Sequence, residues 1–337
     1  MADTGAPPPR PPARRVTMTT VGRLAGVSQV TVSRALSDPS KVSPETLARI
    51  REAIETTGFV PNALAGALAS SRSNLISALV PSITNIVYAS MIQAFTAGMR
   101  AAGCQILLSE TGFDPEEEAS LVSAHLSRRP DAMMLTGIHH GAATRRMLLG
   151  AGIPVVEVWD LTDSPLDFCV GFGHADAGRA VAAFARDAGY VRAATISASD
   201  ERARRRRDAF ALAFGGSVAH ANLDGAASLA GGREGLSELL EGGFRDGVVF
   251  CSSDLIAHGT LIEAHRRGLS VPGDVAVIGF GDQGFAADVE PPLTTVLVDR
   301  EALGSAAAEA LLTRLGGRTV PQPRIDVGFE IIRRGSA

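Results

Sequence analysis

The sequence predicts an α/β protein in which a small all-α domain precedes a larger body of doubly wound parallel sheets. Three observations support this prediction. Short amphipathic segments broken by Gly26 occupy residues 17–60, apolar strands alternate with helix-length segments from residue 74 onward, and that alternation restarts near Gly171. Two successive series of this kind predict two similar lobes. The 337 residues, 45% of them apolar, are enough for two or three domains with cores of their own.

Residues 17–36 have the pattern of two short helices joined at Gly26, a residue type that tolerates the positive φ of a sharp turn. Ser28 can cap the second helix. The apolar positions are Val21, Leu24, Ala25, Val27, Val32 and Leu36. The outer face of the second helix carries Gln29, Val30, Ser33 and Arg34. A helix with glutamine and arginine on its outer face fits the major groove of DNA, and the alternative is an ordinary helical hairpin with a solvated polar face.

A third helix is predicted after a turn-rich link. Ser43 offers an N-cap and Pro44 the first helical position, where its missing N–H costs nothing. Leu47, Ile50 and Ile54 then follow at helical spacing before Gly58 ends the segment. These three apolar residues are expected to close a small core with the first two helices.

Charge is distributed unevenly along the chain. The net charge is −4, but residues 14–72 contain eight basic and four acidic side chains and so carry +4, which leaves −8 for the rest. A basic end on an acidic body is typical of a DNA-reading module attached to a soluble sensor. Residues 1–15 are rich in proline, alanine and arginine and lack the apolar stretch of a secretory signal, so we expect a disordered basic tail.

Several classes of protein are disfavoured. No run of about 18 apolar residues is present, so no membrane span is expected. Cys104, Cys169 and Cys251 match neither a disulfide framework nor a metal-binding spacing, which favours buried thiols, a reducing cytoplasm and no metal site. The chain has no P-loop, no GxSxG elbow and no HExxH motif, and GFGHADAG breaks the dinucleotide fingerprint. We therefore expect no enzymatic activity and no cofactor.

The segments LAGVSQVTVSRAL, VSPETLARI and GFVPNALAGALA resemble the DNA-binding headpiece of the lactose/galactose-repressor (LacI-type) family, without a gap from about residue 16 to residue 69. The resemblance implies a helix-turn-helix headpiece over residues 16–60, a hinge helix and linker over residues 61–73, and a two-lobed core like that of periplasmic binding proteins over residues 74–337. In the family the core binds the effector and forms a homodimer. Lobe 1 would comprise about residues 74–172 and 299–322, and lobe 2 about residues 173–298 and 323–337, with crossings within several residues of Phe172, Val298 and Pro323.

The resemblance also implies the DNA contacts. The partner is a pseudo-palindromic, double-stranded operator. Base contacts are expected from Gln29, Val30 and Arg34, and phosphate contacts from Thr17 and Ser28. The full DNA-binding set is Thr17, Ser28, Gln29, Val30, Thr31, Ser33, Arg34, Asn62 and Leu68. Leu68, in the hinge helix, corresponds to the leucine that wedges into the central base step from the minor groove.

Polar residues that follow the predicted strands are the candidates for effector binding, because ligands of open α/β sheets bind beyond the carboxyl ends of strands. They are Ser82, Asn85, Tyr88, Asp160, Asp254 and Asp282. Five arginines within six positions could form a solvated face. The family, however, places one arginine three residues before a small residue and an aromatic, which here is Arg206 before Ala209 and Phe210. A single guanidinium of this kind can hold a ligand carboxylate by two parallel hydrogen bonds.

Within the family, VPSITN, AGIPVVEVWDLTDSPLDFCVGFGH and IGFGD resemble the repressors of gluconate utilisation. The chain is thus expected to be a transcriptional repressor whose operator affinity is controlled by gluconate or a related sugar acid. Ser253 and Gly281 depart from the family pattern, which usually has an asparagine and often an acid at these places. The alternatives are a regulator of the same family that responds to a neutral sugar, a phosphosugar or a purine, and a sugar-binding protein that does not bind DNA. His140 is expected to be a partly exposed loop residue.

Overall fold

The computed structural model of the chain describes residues 16–61, 72–112 and 114–337. These residues belong to two compact units, one ending at Ser73 and one running from Asn74 to Ala337, called the headpiece and the core below. The predicted tail and residues 62–71 of the predicted hinge, including Asn62 and Leu68, lie outside the described residues.

The headpiece consists of three helices, α1 (Met18–Ala25), α2 (Gln29–Ser37) and α3 (Pro44–Thr57), with a short 3₁₀ turn at Pro39–Lys41. Each helix begins at a side-chain cap: the side chains of Thr17, Ser28 and Ser43 accept backbone N–H groups of the first turns. The caps at Ser28 and Ser43 were predicted from the sequence. Gly26 has φ +65° and ends α1, as the turn requires.

The headpiece core forms where the three helices meet. Its buried side chains are Val21, Ala25, Val32, Ala35, Ile50, Ala53 and Phe59. Leu24 is one of the apolar positions of the two-helix pattern, but 56% of its surface is exposed. Leu24 is one position from buried Ala25, and a step of one residue turns a side chain by about 100° around a helix, out of the narrow face that α1 buries.

The core alternates strands and helices. Its described strands are β1 (Leu75–Val80), β2 (Gln105–Glu110), β3 (Ala132–Thr136), β4 (Val155–Trp159), β5 (Phe168–Gly171), β6 (Ala193–Ser197), β7 (Val218–Asn222), β8 (Gly247–Cys251), β9 (Val275–Ile278), β10 (Thr295–Leu297), β11 (Arg324–Asp326) and β12 (Glu330–Ile332). Its described helices are α4 (Ile86–Ala101), α5 (Pro115–Leu126), α6 (Ala142–Ala151), α7 (His174–Asp187), α8 (Glu201–Phe214), α9 (Leu229–Glu241), α10 (Asp254–Arg266) and α11 (Arg300–Leu315).

Two parallel sheets organise these elements into two lobes. The first sheet has the order β11-β5-β4-β3-β1-β2 and the second the order β7-β6-β8-β9. Each sheet is covered on both faces: α4 packs beside α11 and α5 beside α6 in lobe 1, and α7 packs beside α8 and α9 beside α10 in lobe 2. Strand β3 shows the arrangement, since Ala132 and Met134 point into one core cluster while Met133 and Leu135 point into another.

The chain passes between the sheets three times. It leaves the first sheet after β5 and returns with α11, which contacts β4 and β5. The third crossing was predicted within several residues of Pro323, and β11 pairs with β5 of the first sheet through Arg324–Cys169 and Asp326–Gly171. The crossing therefore comes between Asp326 and β12, which forms a two-stranded antiparallel sheet with β10.

The three cysteines are buried and free, as predicted. Within the ranges that the structure describes, no helix is both long and apolar enough to cross a membrane.

Candidate DNA interface and effector cleft

The exposed face of α2 carries the side chains predicted to read DNA. Gln29, Val30, Ser33 and Arg34 are exposed, while Val32 and Ala35 of the same helix are buried against the rest of the headpiece. Val30 keeps 65% of its surface in solvent and is therefore free to contact a ligand. This face therefore offers an amide, a hydroxyl, a guanidinium and a methyl-bearing surface, the groups that contact base edges in the major groove.

Local hydrogen bonds hold the N-terminal end of α2. The Ser28 hydroxyl accepts the Thr31 N–H at 3.2 Å and lies 3.0 Å from the Thr31 hydroxyl. Thr19 on α1 donates its hydroxyl to Oε1 of Gln29 at 3.0 Å, which restricts the glutamine side chain before any ligand is bound. Thr19 is not among the residues predicted from the sequence.

A cleft of about 410 Å³ opens between the lobes of the core, at the carboxyl ends of β1, β2, β3, β4 and β6. Lobe 1 contributes Thr111, Glu118, Thr136 and Gly137 to its walls, and lobe 2 contributes Asp200, Arg202 and Arg204. The position agrees with the general rule for ligand sites in open α/β sheets. Among the seven predicted effector residues, Asp160 is the one that lines this cleft within the described chain.

Asp160 joins the two lobes. It follows β4 of lobe 1, and its carboxylate accepts Nε–H of Arg202 at 2.6 Å and Nη1–H of Arg205 at 2.8 Å, both from α8 of lobe 2. Its side chain is 3% exposed. Burial opposes ionisation of this carboxyl, but the charge and hydrogen bond of Arg202, together with the charges of neighbouring groups that include Arg205, outweigh burial and hold the pKa of Asp160 below its ordinary value. Asp160 is thus ionised and held by two guanidinium groups.

Arg206 is buried, with 6% of its surface exposed, and no carboxylate lies within ion-pair distance of it among the described residues. Its Nη1 donates to Nδ1 of His174 at 2.8 Å, its Nη2 donates to the Ser252 carbonyl at 2.9 Å, and its guanidinium lies 3.9 Å from the centre of the Phe280 ring. Nε has no partner in the described structure. Burial lowers the pKa of Arg206 to about 10, so the side chain remains charged at neutral pH.

Aromatic side chains pack beside these charges. Tyr88, Trp159, Phe172, His174 and Phe280 form a chain of edge and tilted contacts with ring centres 4.3 to 6.0 Å apart. The hydroxyl of Tyr88 accepts Nη1–H of Arg202 at 3.1 Å, and burial raises the pKa of this phenol. Tyr88 is therefore part of the cluster around Arg202, close to where the sequence placed it.

The two other predicted aspartates have protein partners. Asp254 is fully buried and accepts the Thr295 hydroxyl at 2.5 Å and the Gln283 N–H at 2.6 Å, and burial raises its pKa to about 6. Asp282 has φ +44° and its carboxylate lies 2.7 Å from Nη1 of Arg334. Both residues fasten the loop after β9.

Ser82 and Asn85 form hydrogen bonds with residues two positions away in the chain. Asn85 caps α4 by accepting the Val87 N–H at 3.0 Å, and the Ser82 hydroxyl lies 3.1 Å from that of Thr84. Both residues follow β1, and Pro81 beside them lines the cleft.

His140 lies in a loop and is partly exposed as a residue, as expected, but its side chain is only 1% exposed. Nδ1 lies 3.0 Å from a Glu118 carboxylate oxygen, and Nε2 lies 3.4 Å from Glu157 Oε1 and 3.2 Å from the Gly137 carbonyl. Burial works against the charged imidazole, but Glu118 and Glu157 together raise the pKa of His140 to about 9. A charged histidine here can neutralise the buried carboxylate of Glu157 together with that of Glu118, whose side chain is 15% exposed.

Arg202 and Arg205 were missed from the sequence. Arg206 was chosen on a family pattern alone, whereas Arg202 lies four residues and Arg205 one residue before it on the same helix. Residues at i and i+4, or at i and i+3, share a helix face. The signal that could have found them was thus helical periodicity among the five arginines of α8.

The comparison with protein families separates the same two parts of the chain. Residues 17–62 match the model of bacterial regulatory proteins of the lacI family, and residues 181–337 match the model of a periplasmic binding protein-like domain.

Three known proteins show how far the similarity extends. The chain is 36% identical over 329 residues to the HTH-type transcriptional regulator GntR of Pseudomonas aeruginosa, with 96% of each chain covered. The crystal structure of a LacI-family transcriptional regulator from Silicibacter pomeroyi has a TM-score of 0.89 at 33% identity, covering 95% of this chain and 99% of the other. The lac repressor dimer bound to operator and an anti-inducer shares the fold, with a TM-score of 0.84 at 22% identity over 96% of this chain and 99% of that one.

A helix-turn-helix unit in one chain with a two-lobed α/β core defines a DNA-binding transcriptional regulator, and not an enzyme. The chain belongs to the lacI family of bacterial regulatory proteins.

Proposed function

We propose that this regulator is a homodimeric repressor that binds a pseudo-palindromic operator and that a sugar acid, gluconate or a close relative, bound between the core lobes controls its operator affinity. The observation that carries the proposal is a group of arginines beside the cleft. Arg202, Arg205 and Arg206 bring three guanidinium groups together, and Asp160 is the single carboxylate paired with them in the described residues. A ligand carboxylate could bind at this group, whereas the rest of the cleft lining carries the carboxylates of Asp114, Glu118, Asp200 and Glu201.

The rest of the cleft suits a polyhydroxylated molecule. Glu118 and Asp200 line it, each already held by the protein: Glu118 lies against His140, and Asp200 caps α8 by accepting the Ala203 N–H at 2.9 Å. Carboxylates fixed in this way can accept hydrogen bonds from ligand hydroxyls. A basic end and an acceptor-rich wall together match a sugar acid better than a neutral sugar or a purine.

Recognition of the operator is assigned to the exposed face of α2. Gln29, Val30 and Arg34 would contact base edges, while Thr17 and Ser28, at the positive ends of α1 and α2, would contact phosphates. The shared fold with the operator-bound lac repressor dimer supports two headpieces on one pseudo-palindrome.

Control by the effector would be a population shift. A ligand that binds one arrangement of the lobes more tightly than another favours that arrangement and, with it, either the DNA-bound or the free dimer. The proposed direction is release, because the family hinge is marginally stable without DNA and a change in the core can disfavour its helix.

The test is operator binding measured by fluorescence anisotropy, with DNA from the gene's own upstream region and with or without sodium gluconate. Release by gluconate at concentrations where sodium chloride has no effect would support both the repressor and its effector. Tight binding that ignores gluconate would contradict the effector and leave the repressor, and a panel of neutral sugars, phosphosugars and purines would follow.

A further inference from the structure

Arg202 lines the cleft, and its hydrogen bonds to the protein leave one edge of its guanidinium group unbonded. Arg202 uses Nε for Asp160 and Nη1 for Tyr88, both of lobe 1, at 2.6 and 3.1 Å. Within the described chain, Nη2 has no hydrogen-bond partner. The side chain is 16% exposed and lines the cleft.

Gly137 has no side chain, and this leaves room for the Nη2 edge of the Arg202 guanidinium. It is a cleft residue at the end of β3, and a Cβ atom placed on it would lie 2.8 Å from Nη2 of Arg202. Since contacts this short are not tolerated, any side chain at position 137 would displace the guanidinium. The absence of a side chain at position 137 therefore gives the guanidinium group its place beside Gly137, and both residues line the cleft.

The other arginines of α8 are less suited to a ligand. Arg206 lies behind the cleft wall, enclosed by His174, the Ser252 carbonyl and the Phe280 ring. Arg204 lines the cleft, but its Nη1 donates to the backbone carbonyl of Ser199, and no side chain of lobe 1 is hydrogen-bonded to it in the described structure.

The geometry points to Arg202 as the residue that binds the carboxylate of the effector, with Asp160 and Tyr88 as positioning residues that hold its guanidinium group and Gly137 as the residue whose missing side chain leaves room for that group. This inference rests on the proposed function and deepens it, because it assigns the acidic end of the ligand to one side chain. It differs from the assignment of Arg206 on the family pattern.

Holding the guanidinium group of Arg202 in place has a consequence for ligand affinity. A guanidinium held on two sides loses little further rotamer entropy when a ligand binds, so more of the hydrogen-bond energy is realised as affinity. Asp160 and Tyr88 belong to lobe 1, and Arg202 belongs to lobe 2. Both hydrogen bonds that hold the guanidinium group therefore form when the lobes are in this arrangement. A ligand that binds the guanidinium group in this geometry would favour that arrangement of the lobes.

The experiment is calorimetric titration of the full-length protein with sodium gluconate and with glucitol, its open-chain analogue without a carboxylate. Arg202→Gln is expected to weaken gluconate binding by 10-fold or more, about the worth of a hydrogen bond to a charged group, and to leave glucitol binding unchanged. Arg202→Lys should fall between Arg202→Gln and the wild type, since it keeps the charge and loses the guanidinium group. Tyr88→Phe should weaken gluconate binding several-fold.

Arg207→Gln is the matched control, because it removes an arginine of the same helix that does not line the cleft and is hydrogen-bonded to Asn222 and Asp208, and it should leave the affinity for gluconate within twofold. Equal binding of gluconate by Arg202→Gln and the wild type would overturn the assignment, as would a loss in Arg207→Gln alone. A loss in a folded Arg206→Gln variant with Arg202→Gln unaffected would return the carboxylate to Arg206. If the wild type does not bind gluconate at all, the proposed effector fails and this assignment fails with it.

Thermal unfolding of each variant separates loss of binding from loss of structure. The fluorescence of Trp159, the single tryptophan of the chain, gives a second and independent readout, since its ring lies 5.7 Å from that of Tyr88. A gluconate-dependent change in this signal in Arg207→Gln and its absence in Arg202→Gln is the expected result.

Discussion

Nη1 of Arg206 donates a hydrogen bond of 2.8 Å to Nδ1 of His174, and this contact determines the protonation of the imidazole. A guanidinium can only donate, so Nδ1 must be the unprotonated nitrogen. Nε2 then carries the proton and donates it to the Trp159 carbonyl at 3.1 Å. Burial, together with the charge of Arg206, keeps the pKa of His174 well below its ordinary value, so the ring is neutral at physiological pH.

Replacing His174 is expected to show how much its hydrogen bond with the buried guanidinium of Arg206 contributes to the free energy of unfolding. His174→Phe leaves an N–H of the charged Arg206 without a partner, which should lower the free energy of unfolding by about 2–3 kcal/mol. His174→Gln keeps an acceptor oxygen and should lose less than half of that. Urea unfolding of the full-length variants measures both, and equal losses would contradict the hydrogen-bond assignment.

The helices of the headpiece could be predicted because their determinants are local. The caps Thr17, Ser28 and Ser43 and the turn at Gly26 act within four residues of the groups they satisfy. The same holds for the strands of the core that are long apolar runs, such as β1 and β8.

Features that depend on distant partners were not predictable in the same way. Strand β11 is three residues long and largely exposed, and it joins the first sheet only because β5, more than 150 positions earlier in the chain, has a free edge for it. His140 is buried because Glu118 and Glu157 approach it from α5 and β4. Arg202 had a local signal in its helical spacing from Arg206, but its partners Asp160 and Tyr88 are 42 and 114 residues away.

His140 predicts a pH dependence of stability. Its folded pKa of about 9 lies above the value of 6.5 that an unfolded histidine has, so its contribution is complete below pH 6.5 and is lost as the pH rises through 9. A shift of this size corresponds to about 3 kcal/mol. His140→Gln should therefore destabilise the protein by about that amount at pH 6 and have little effect at pH 10.

His139→Gln is the control for this experiment. His139 is 63% exposed and its partner Glu201 is 47% exposed, so the same substitution should change stability little at either pH. Urea unfolding at pH 6, 8 and 10 would show the difference. Parallel curves for the two variants would mean that His140 does not bridge Glu118 and Glu157 in solution.

Gly178 on α7 predicts a large effect for the addition of one methyl group. A Cβ atom there would lie 2.3 Å from the Arg206 carbonyl oxygen, so α7 and α8 would have to move apart. Gly178→Ala is expected to cost about 1–3 kcal/mol, as overpacking of an interior does. Gly150→Ala on α6, where nothing lies within 4 Å of the new atom, should instead stabilise by up to about 1 kcal/mol through helix propensity. Calorimetric melting temperatures that move in the same direction for both variants would contradict this account.

Arg34 on the exposed face of α2 predicts a change in sequence preference. If its guanidinium contacts a base edge, Arg34→Ala should weaken operator binding by about 1–3 kcal/mol and let the variant accept substitutions at the base pair that Arg34 reads. Arg51→Ala removes an exposed arginine of α3, outside the recognition helix, and should leave the base preference of the wild type intact. Anisotropy titrations against a set of operators, each with one base pair changed, at a single salt concentration measure both. An Arg34→Ala variant that binds more weakly but ranks these operators as the wild type does would assign Arg34 to the phosphates, because phosphate contacts carry no base information.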